Sequence, residues 1–400
     1  MKPYAVTGVG VVSPIGVGYE ALKASLATAT EPGEGVFRET LTCVSNERIP
    51  NAVAAEVWGF DAREHLGTKG LRNFDRLTRL MIVSAKMALI DAGVKDAEGG
   101  HRLPPERIGL CSATAYGSLD VINQMVEVAE LEDPRFLNPG QFPNTVINSA
   151  AGYVSIWEDL RAPNVTVVDG NCGALDAVLT AETHLLNDRA SAFLVGGGEV
   201  LNEPLYLAFR KLDLLSDGGR ARRVGSPDSQ GMFLGEGAAY LCIERVTEAR
   251  RRGARLRAEL VGYGNAVEPP QSEAVIVHGS PRAVERSIAM ALSDAGLAVA
   301  DVDLVCSSLS GIPKFDLAEL EGIARALPNT PVVAPKTWYG ETFGAGGALA
   351  MTCALAFFEG VPVRPLIDVG APAPDKIEHI LVLATGYYGN VSAVLLRRAV

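Results

Sequence analysis

Histidine is scarce in this chain of 400 residues: the five are His65, His101, His184, His278 and His379, and none lies in its glycine-rich turns. A lone histidine is more often a structural or surface residue than a catalyst, so imidazole acid–base chemistry has no obvious seat. Cysteine is equally thin. The six are scattered without CxxC or other paired ligand spacing, which argues against a disulfide framework and a zinc site. No metal or cofactor is implied. No apolar run reaches the roughly 20 residues that a bilayer crossing needs, and the chain opens on a strand rather than on a basic segment followed by an apolar one. Neither secretion nor membrane insertion is expected, and the chain reads as cytoplasmic. Positive charge is also in deficit: the net charge is −11, which argues against nucleic acid as a partner. The one basic cluster, Arg250 to Arg257, falls on a predicted surface helix and its exit, and reads as a solvated helix end or as a carrier-protein contact. Gly196-Gly197-Gly198 and Gly235-Glu236-Gly237 neither precede Gly-Lys-Ser/Thr nor open a helix as GxGxxG, so they read as close packing of core strands rather than as a phosphate loop.

What is present is an alternation of β-branched strands with alanine-rich helices, the mark of an α/β layered fold. Strands are expected at Ala5 to Val12, Ile108 to Ala113, Val165 to Val168, Ala192 to Gly196, Ala238 to Ile243, Ala258 to Gly264, Leu304 to Ser308, Ile380 to Thr385 and Ser392 to Arg397. Helices are expected at Leu71 to Asp91, Ser118 to Glu130, Ala174 to Leu186, Pro281 to Ala295, Asp316 to Ala326 and Gly346 to Phe358. The last is apolar on every face and so belongs at the centre. The chain exceeds a typical single core, so two halves are expected, 1–250 and 251–400, divided at the charged stretch near Thr247 to Arg257. No literal repeat is expected across that division.

One segment carries chemistry in its shape. In VVDGNCGALDAV, residues 167–178, a β-branched strand turns through Gly170 into a small-residue helix. Such a helix aims its first N–H groups at the turn, where a thiol would be acidified and a thioester oxyanion stabilised. Together with SAFLVGGGEV (191–200) and GMFLGEGAAYLCIE (231–244), this run resembles the β-ketoacyl-acyl carrier protein synthases of the thiolase superfamily. The resemblance extends from YAVTGVGVVSPIG (4–16) to ATGYYGNVSAVLLRR (384–398). It implies a thiolase-like fold, two similar halves forming one five-layered α/β/α/β/α body.

The resemblance also marks departures. The family's nucleophilic cysteine falls on Asn171, with Cys172 one residue late. Its first histidine falls on Ser308, with Asp316 and Glu319 following. Its second falls on Glu341, while the preceding lysine is kept as Lys336. Its closing glycine-rich turn reads Gly386-Tyr387-Tyr388-Gly389, with Tyr388 in place of a glycine. Decarboxylative condensation needs a thiolate and two neutral imidazoles, and an amide, a hydroxyl and a carboxylate do not reproduce that set. A slip of the turn that brought Cys172 to the helix start would still leave it without histidines; otherwise Cys172 is a buried small hydrophobe.

These departures imply a non-catalytic ketosynthase-like subunit similar to the chain-length factors of type II polyketide synthases. Its partners would be an active ketosynthase, as a heterodimer, and acyl carrier protein bearing a phosphopantetheine-linked chain. The alternatives are a malonyl-carrier-protein decarboxylase or an acyltransferase on the same fold, or a homodimer that binds acyl chains or carrier protein without catalysis. The resemblance places the dimer interface in residues 111–130 and 142–156, which are rich in small and apolar residues. Within them Ser118, Val121 and Met125 are expected to share a helix face toward the partner's tunnel. Phe142, Tyr387 and Tyr388 complete the tunnel and interface candidates.

Overall fold

The computed structural model describes residues 2–28, 31, 33–216, 224–226, 228–272, 275–366 and 371–399. Ten strands carry the architecture: β1 Tyr4–Ser13, β2 Ile108–Ala113, β3 Asn164–Val167, β4 Ala192–Glu199, β5 Gly237–Arg245, β6 Ala258–Val267, β7 Leu304–Cys306, β8 Val332–Val333, β9 His379–Thr385 and β10 Asn390–Arg398. They run in the order β8-β7-β9-β10-β6-β1-β5-β4-β2-β3, and Gly16–Val17 pairs back on β1. Each five-strand half therefore has the same order, third-second-fourth-fifth-first. The parallel pairs are β2 with β3 and β4, and β7 with β8 and β9; the rest are antiparallel. Among the described residues, the two sheets are hydrogen-bonded to each other where Tyr4, Ala5 and Val6 pair with Leu260, Glu259 and Ala258.

Eight helices complete the layers: α1 Tyr19–Thr28, α2 Arg76–Asp91, α3 Leu119–Glu127, α4 Ser149–Glu158, α5 Gly173–Leu186, α6 Pro281–Ala295, α7 Pro313–Ala326 and α8 Gly346–Phe358. Helix α8, apolar all round, lies with α5 between the two sheets, and every one of its residues is buried. Helices α2 and α4 cover the outer face of the first sheet, α6 and α7 that of the second. Five layers result, as the resemblance implies. Predicted helix α6 has the observed bounds because its signals are complete: Ser280 accepts from Ala283 N at 3.1 Å, Pro281 sits at the first turn, and Gly296 closes with φ +67°. Helix α2 begins at Arg76 rather than at Leu71, because Asp75 caps it by accepting from Thr78 N at 2.8 Å. Helices α1 and α4, and Glu203–Lys211, were not expected from the sequence.

The expected absence of a literal repeat is corrected by the fold. SAKMALIDAGV (84–94) in α2 and SIAMALSDAGL (287–297) in α6 share Ser, Met, Ala, Leu, Asp, Ala and Gly in register. The shared residues make the same contacts. Ser84 Oγ donates to Gly10 O at 2.8 Å and Ser287 Oγ to Gly264 O at 3.0 Å, while Val9 N reaches Asp91 Oδ2 at 2.8 Å and Tyr263 N reaches Asp294 Oδ2 at 2.9 Å. Glycine is required at both strand positions, since a Cβ on Gly10 or Gly264 would collide with the carbonyl of Ser84 or Ser287.

The basic cluster is mostly consumed internally. Arg252 binds Glu244, and Arg257 bridges Asp91 and Glu359 at 2.6 Å each. Exposed Arg250 and Arg251 sit beside Glu259 and Glu248. No described helix is long and apolar enough to cross a membrane.

Candidate functional site

The site lies beyond the C-terminal ends of β3, β7, β8 and β9, where strand ends of an α/β sheet gather their loops. Asn171 sits in the short turn Gly170–Cys172 that enters α5. Its Nδ2 donates to Thr385 O at 3.1 Å, and the side chain is buried. Cys172 points away into the core, with Sγ 3.2 Å from Ala384 O; burial, and then the carboxyls of Asp176 and Asp169, push its thiol well above the usual range. It does not slip into the reactive position.

Lys336 joins Ser308 and Glu341, the two positions on which the resemblance places histidines. Its Nζ donates to Glu341 Oε2 at 2.7 Å and to Ser308 Oγ at 3.0 Å, and all three side chains are buried. Glu341 uses its other oxygen to accept from Phe343 N at 2.9 Å. Ser308 N and Thr385 Oγ1 each donate at 2.7 Å to opposite oxygens of Glu319, whose carboxyl is pushed up by burial. A closed polar chain thus runs from Asn171 through Thr385, Glu319, Ser308 and Lys336 to Glu341. Asp316 accepts from Ser310 N and Gly311 N, and burial raises its carboxyl to about 7. Glu199 accepts from Ala115 N at 2.7 Å and Gly344 N at 3.2 Å, and burial likewise raises it to about 7. Asp176, at the first turn of α5, accepts from Tyr263 Oη at 2.6 Å; burial, then its neighbour Asp169, raise it to about 7.

Aromatic side chains cover this network. Phe343, at φ +40°, holds a backbone conformation that bulky residues rarely adopt. Its ring lies 5.2 Å from Phe209 and 5.1 Å from Tyr116, and Tyr387 stands edge-on to Phe315 at 5.2 Å. Tyr387 Oη contacts Met232 Sδ at 3.3 Å. Tyr388, one of the tunnel and interface candidates, is 67% exposed, because its turn directs Tyr387 inward. His278 N donates to Tyr387 O at 2.8 Å, which brings one histidine beside the closing turn although the sequence places it in a separate loop.

The expected face of α3 is also corrected. Ser118 bonds Asp75 and is buried, Val121 is buried, and Met125 is half-buried. The apolar side chains that α3 exposes are Ile122 and Val126, joined by Leu131, Phe136, Phe142 and Ile156 from the elements that follow. The signal was present in the i, i+4 spacing of Ile122 and Val126, but α3 has a second apolar face and only its packing chooses between them.

A doubled five-layered sandwich, with a strand-end turn entering a buried central helix, defines the class of thiolase-like condensing proteins. Residues 1–249 match the family described as beta-ketoacyl synthase, N-terminal domain, and residues 258–369 match beta-ketoacyl synthase, C-terminal domain, so the chain belongs to the β-ketoacyl synthase family. It is 29% identical over 421 residues to the tetracenomycin polyketide synthase ketoacyl synthase beta subunit of Streptomyces glaucescens, covering 99% of this chain and 98% of that one. It is 28% identical over 420 residues to 3-oxoacyl-acyl-carrier-protein synthase 2 of Coxiella burnetii, covering 98% of each. In structure it is similar to the ishigamide ketosynthase/chain length factor, with a TM-score of 0.87, 23% identity and full coverage of both chains.

Proposed function

We propose that this chain is a non-condensing ketosynthase-like subunit of the chain-length-factor type. It pairs with an active ketosynthase and shapes the tunnel that holds a growing polyketide or polyene chain delivered by acyl carrier protein. The observation that carries this reading is the Lys336 bridge. Both positions where enolate-stabilising imidazoles would act, Ser308 and Glu341, are held by Lys336 in one buried network. A carboxylate at 341 repels a developing enolate, and Asn171 offers no nucleophile. The same set counts against a decarboxylase, and the buried, unacidified thiol of Cys172 counts against an acyltransferase.

The exposed apolar side chains of residues 122–156 suit an obligate interface, which would bury more than ~2,000 Å² in total. Ile122, Met125, Val126 and Phe142 are the side chains assigned to the partner's tunnel wall. The test is reconstitution from acyl and malonyl carrier proteins. The chain alone should give no β-ketoacyl product, and the pair with an intact ketosynthase should give long-chain product. Condensation by the chain as sole synthase overturns the proposal.

A further inference from the structure

The two halves share one plan, but one spot is filled differently in each. The turn Gly170–Cys172 enters α5 at Gly173, and its counterpart Phe343–Ala345 enters α8 at Gly346, so Asp176 corresponds to Leu349. The matched bonds of Val9 N to Asp91 and of Tyr263 N to Asp294 align Val9 with Tyr263 and Val11 with Asn265, and strand pairing then aligns Ala239 with Ser392. Val9, Val11, Ala239 and Leu349 are buried together in the apolar core. Their counterparts beside α5 are a phenol, an amide, a hydroxyl and a carboxyl. The layering does not need these polar groups, which carry a desolvation cost that apolar side chains avoid.

Asp176 Oδ1 accepts from Ser392 Oγ at 2.5 Å and from Tyr263 Oη at 2.6 Å. Its carboxyl is also in hydrogen-bonding contact with that of Asp169, whose Oδ1 accepts from Asn390 Nδ2 at 3.0 Å. The other titratable groups that face Asp176 are Cys172 on the turn, Tyr263 on β6 and Cys111 on β2, none of them a cation. Around the rest of α5, Glu199 of β4 is held by Ala115 N and Gly344 N, Cys353 of α8 faces Cys306, and Asp294 of α6 is bonded by Tyr263 N. Arg397 and Arg398 of β10 are engaged by Glu259 and Phe358 O, and β3 has no titratable residue. Two half-buried carboxyls in contact, with no cation beside them, do not both ionise. The contact needs one proton between them.

We propose that the Asp169–Asp176 pair is a proton-operated latch, which holds the turn Gly170–Cys172 against α5 and β10 and lets it go when both carboxyls ionise. Asp176 is the fixed member, anchored by Tyr263 and Ser392, and Asp169 is the member that moves with the turn. Loss of the shared proton to solvent leaves two carboxylates that repel. Asp169 then withdraws from Asp176 and Asn390, and Asn171 Nδ2 leaves Thr385 O. Asn390 carries the change to the closing turn, because its carbonyl accepts from Gly386 N at 2.8 Å. Burial, then Asp169, raise the Asp176 carboxyl to about 7, so the closed state is fully stabilised below about pH 4 and loses that stabilisation as pH rises through about 7.

The test is hydrogen exchange of the full chain across a pH series, corrected for the intrinsic exchange rate. Protection of residues 169–174 should fall by about ten-fold per pH unit between about pH 5 and 7 and then level off. In Asp176→Asn and in Asp169→Asn an amide N–H takes the place of the shared proton, so the turn should stay closed and its protection should no longer follow pH. A turn in the parent protein whose protection is the same at about pH 5 and 7 overturns the latch, and this holds even if a variant fails to fold. A fall that persists undiminished in both folded Asn variants overturns it as well, since the pH dependence then comes from other groups.

Discussion

Breaking the Lys336–Glu341 pair should cost this protein far more than its single ion pair suggests. Both groups are buried, and their N–O distance is 2.7 Å. In Glu341→Gln the ammonium of Lys336 keeps only neutral partners, and removing one member of a buried pair typically costs about 3–5 kcal/mol. Unfolding entropy of about 2.1 cal/mol/K per residue gives roughly 0.8 kcal/mol/K for 400 residues. The melting temperature should therefore fall by about 4–6 °C. In the double variant Lys336→Met with Glu341→Met, neither charge of the pair is left and most of that loss should return, because well-packed apolar groups commonly replace a buried pair without penalty. Lys376→Met, which removes the exposed pair with Glu378, is the control and should give no measurable shift. Calorimetry of the four proteins decides the matter. A Glu341→Gln protein melting within about 1 °C of the parent, or a double variant as unstable as the single, would refute the reasoning.

Stability should also depend on pH in a definite direction. Asp176, Glu199 and Asp316 are each raised to about 7 in the folded chain, against ordinary carboxyl values near 4 when unfolded. The folded state then binds the extra protons, so their stabilisation is complete below about pH 4 and is lost as pH rises through about 7. Urea midpoints should decline from pH 5 to pH 7.5, and Asp176→Asn should flatten the decline; a rising midpoint would contradict the burial argument. Cys172 should resist iodoacetamide in the native protein and react only on unfolding, as peptide mapping would show; rapid native labelling would restore the acyltransferase reading. Val126→Phe should shorten the polyketide made by the pair without abolishing synthesis. Overpacking a tunnel wall costs the longer chain about 1–3 kcal/mol, which shifts products by about five-fold or more. An unchanged product profile from an intact complex would remove α3 from the tunnel.

The sequence by itself determined most of the elements and the departures from the family's motifs. Alternating β-branched strands and alanine-rich helices fixed an α/β layering, the all-apolar run at Gly346–Phe358 put α8 at the centre, and cap residues set α6 to its observed bounds. Asn171, Ser308 and Glu341 were readable as departures because their flanking motifs kept register. Only the tertiary structure decided how the residues at those positions meet. Lys336, separated from Ser308 by a helix and a strand, meets both it and Glu341 because β7 and β8 are parallel neighbours whose ends open on the same side. Side-chain direction was likewise beyond the sequence. A two-residue turn sends Tyr387 inward and Tyr388 out, and the two apolar faces of α3 are told apart only by what packs on them.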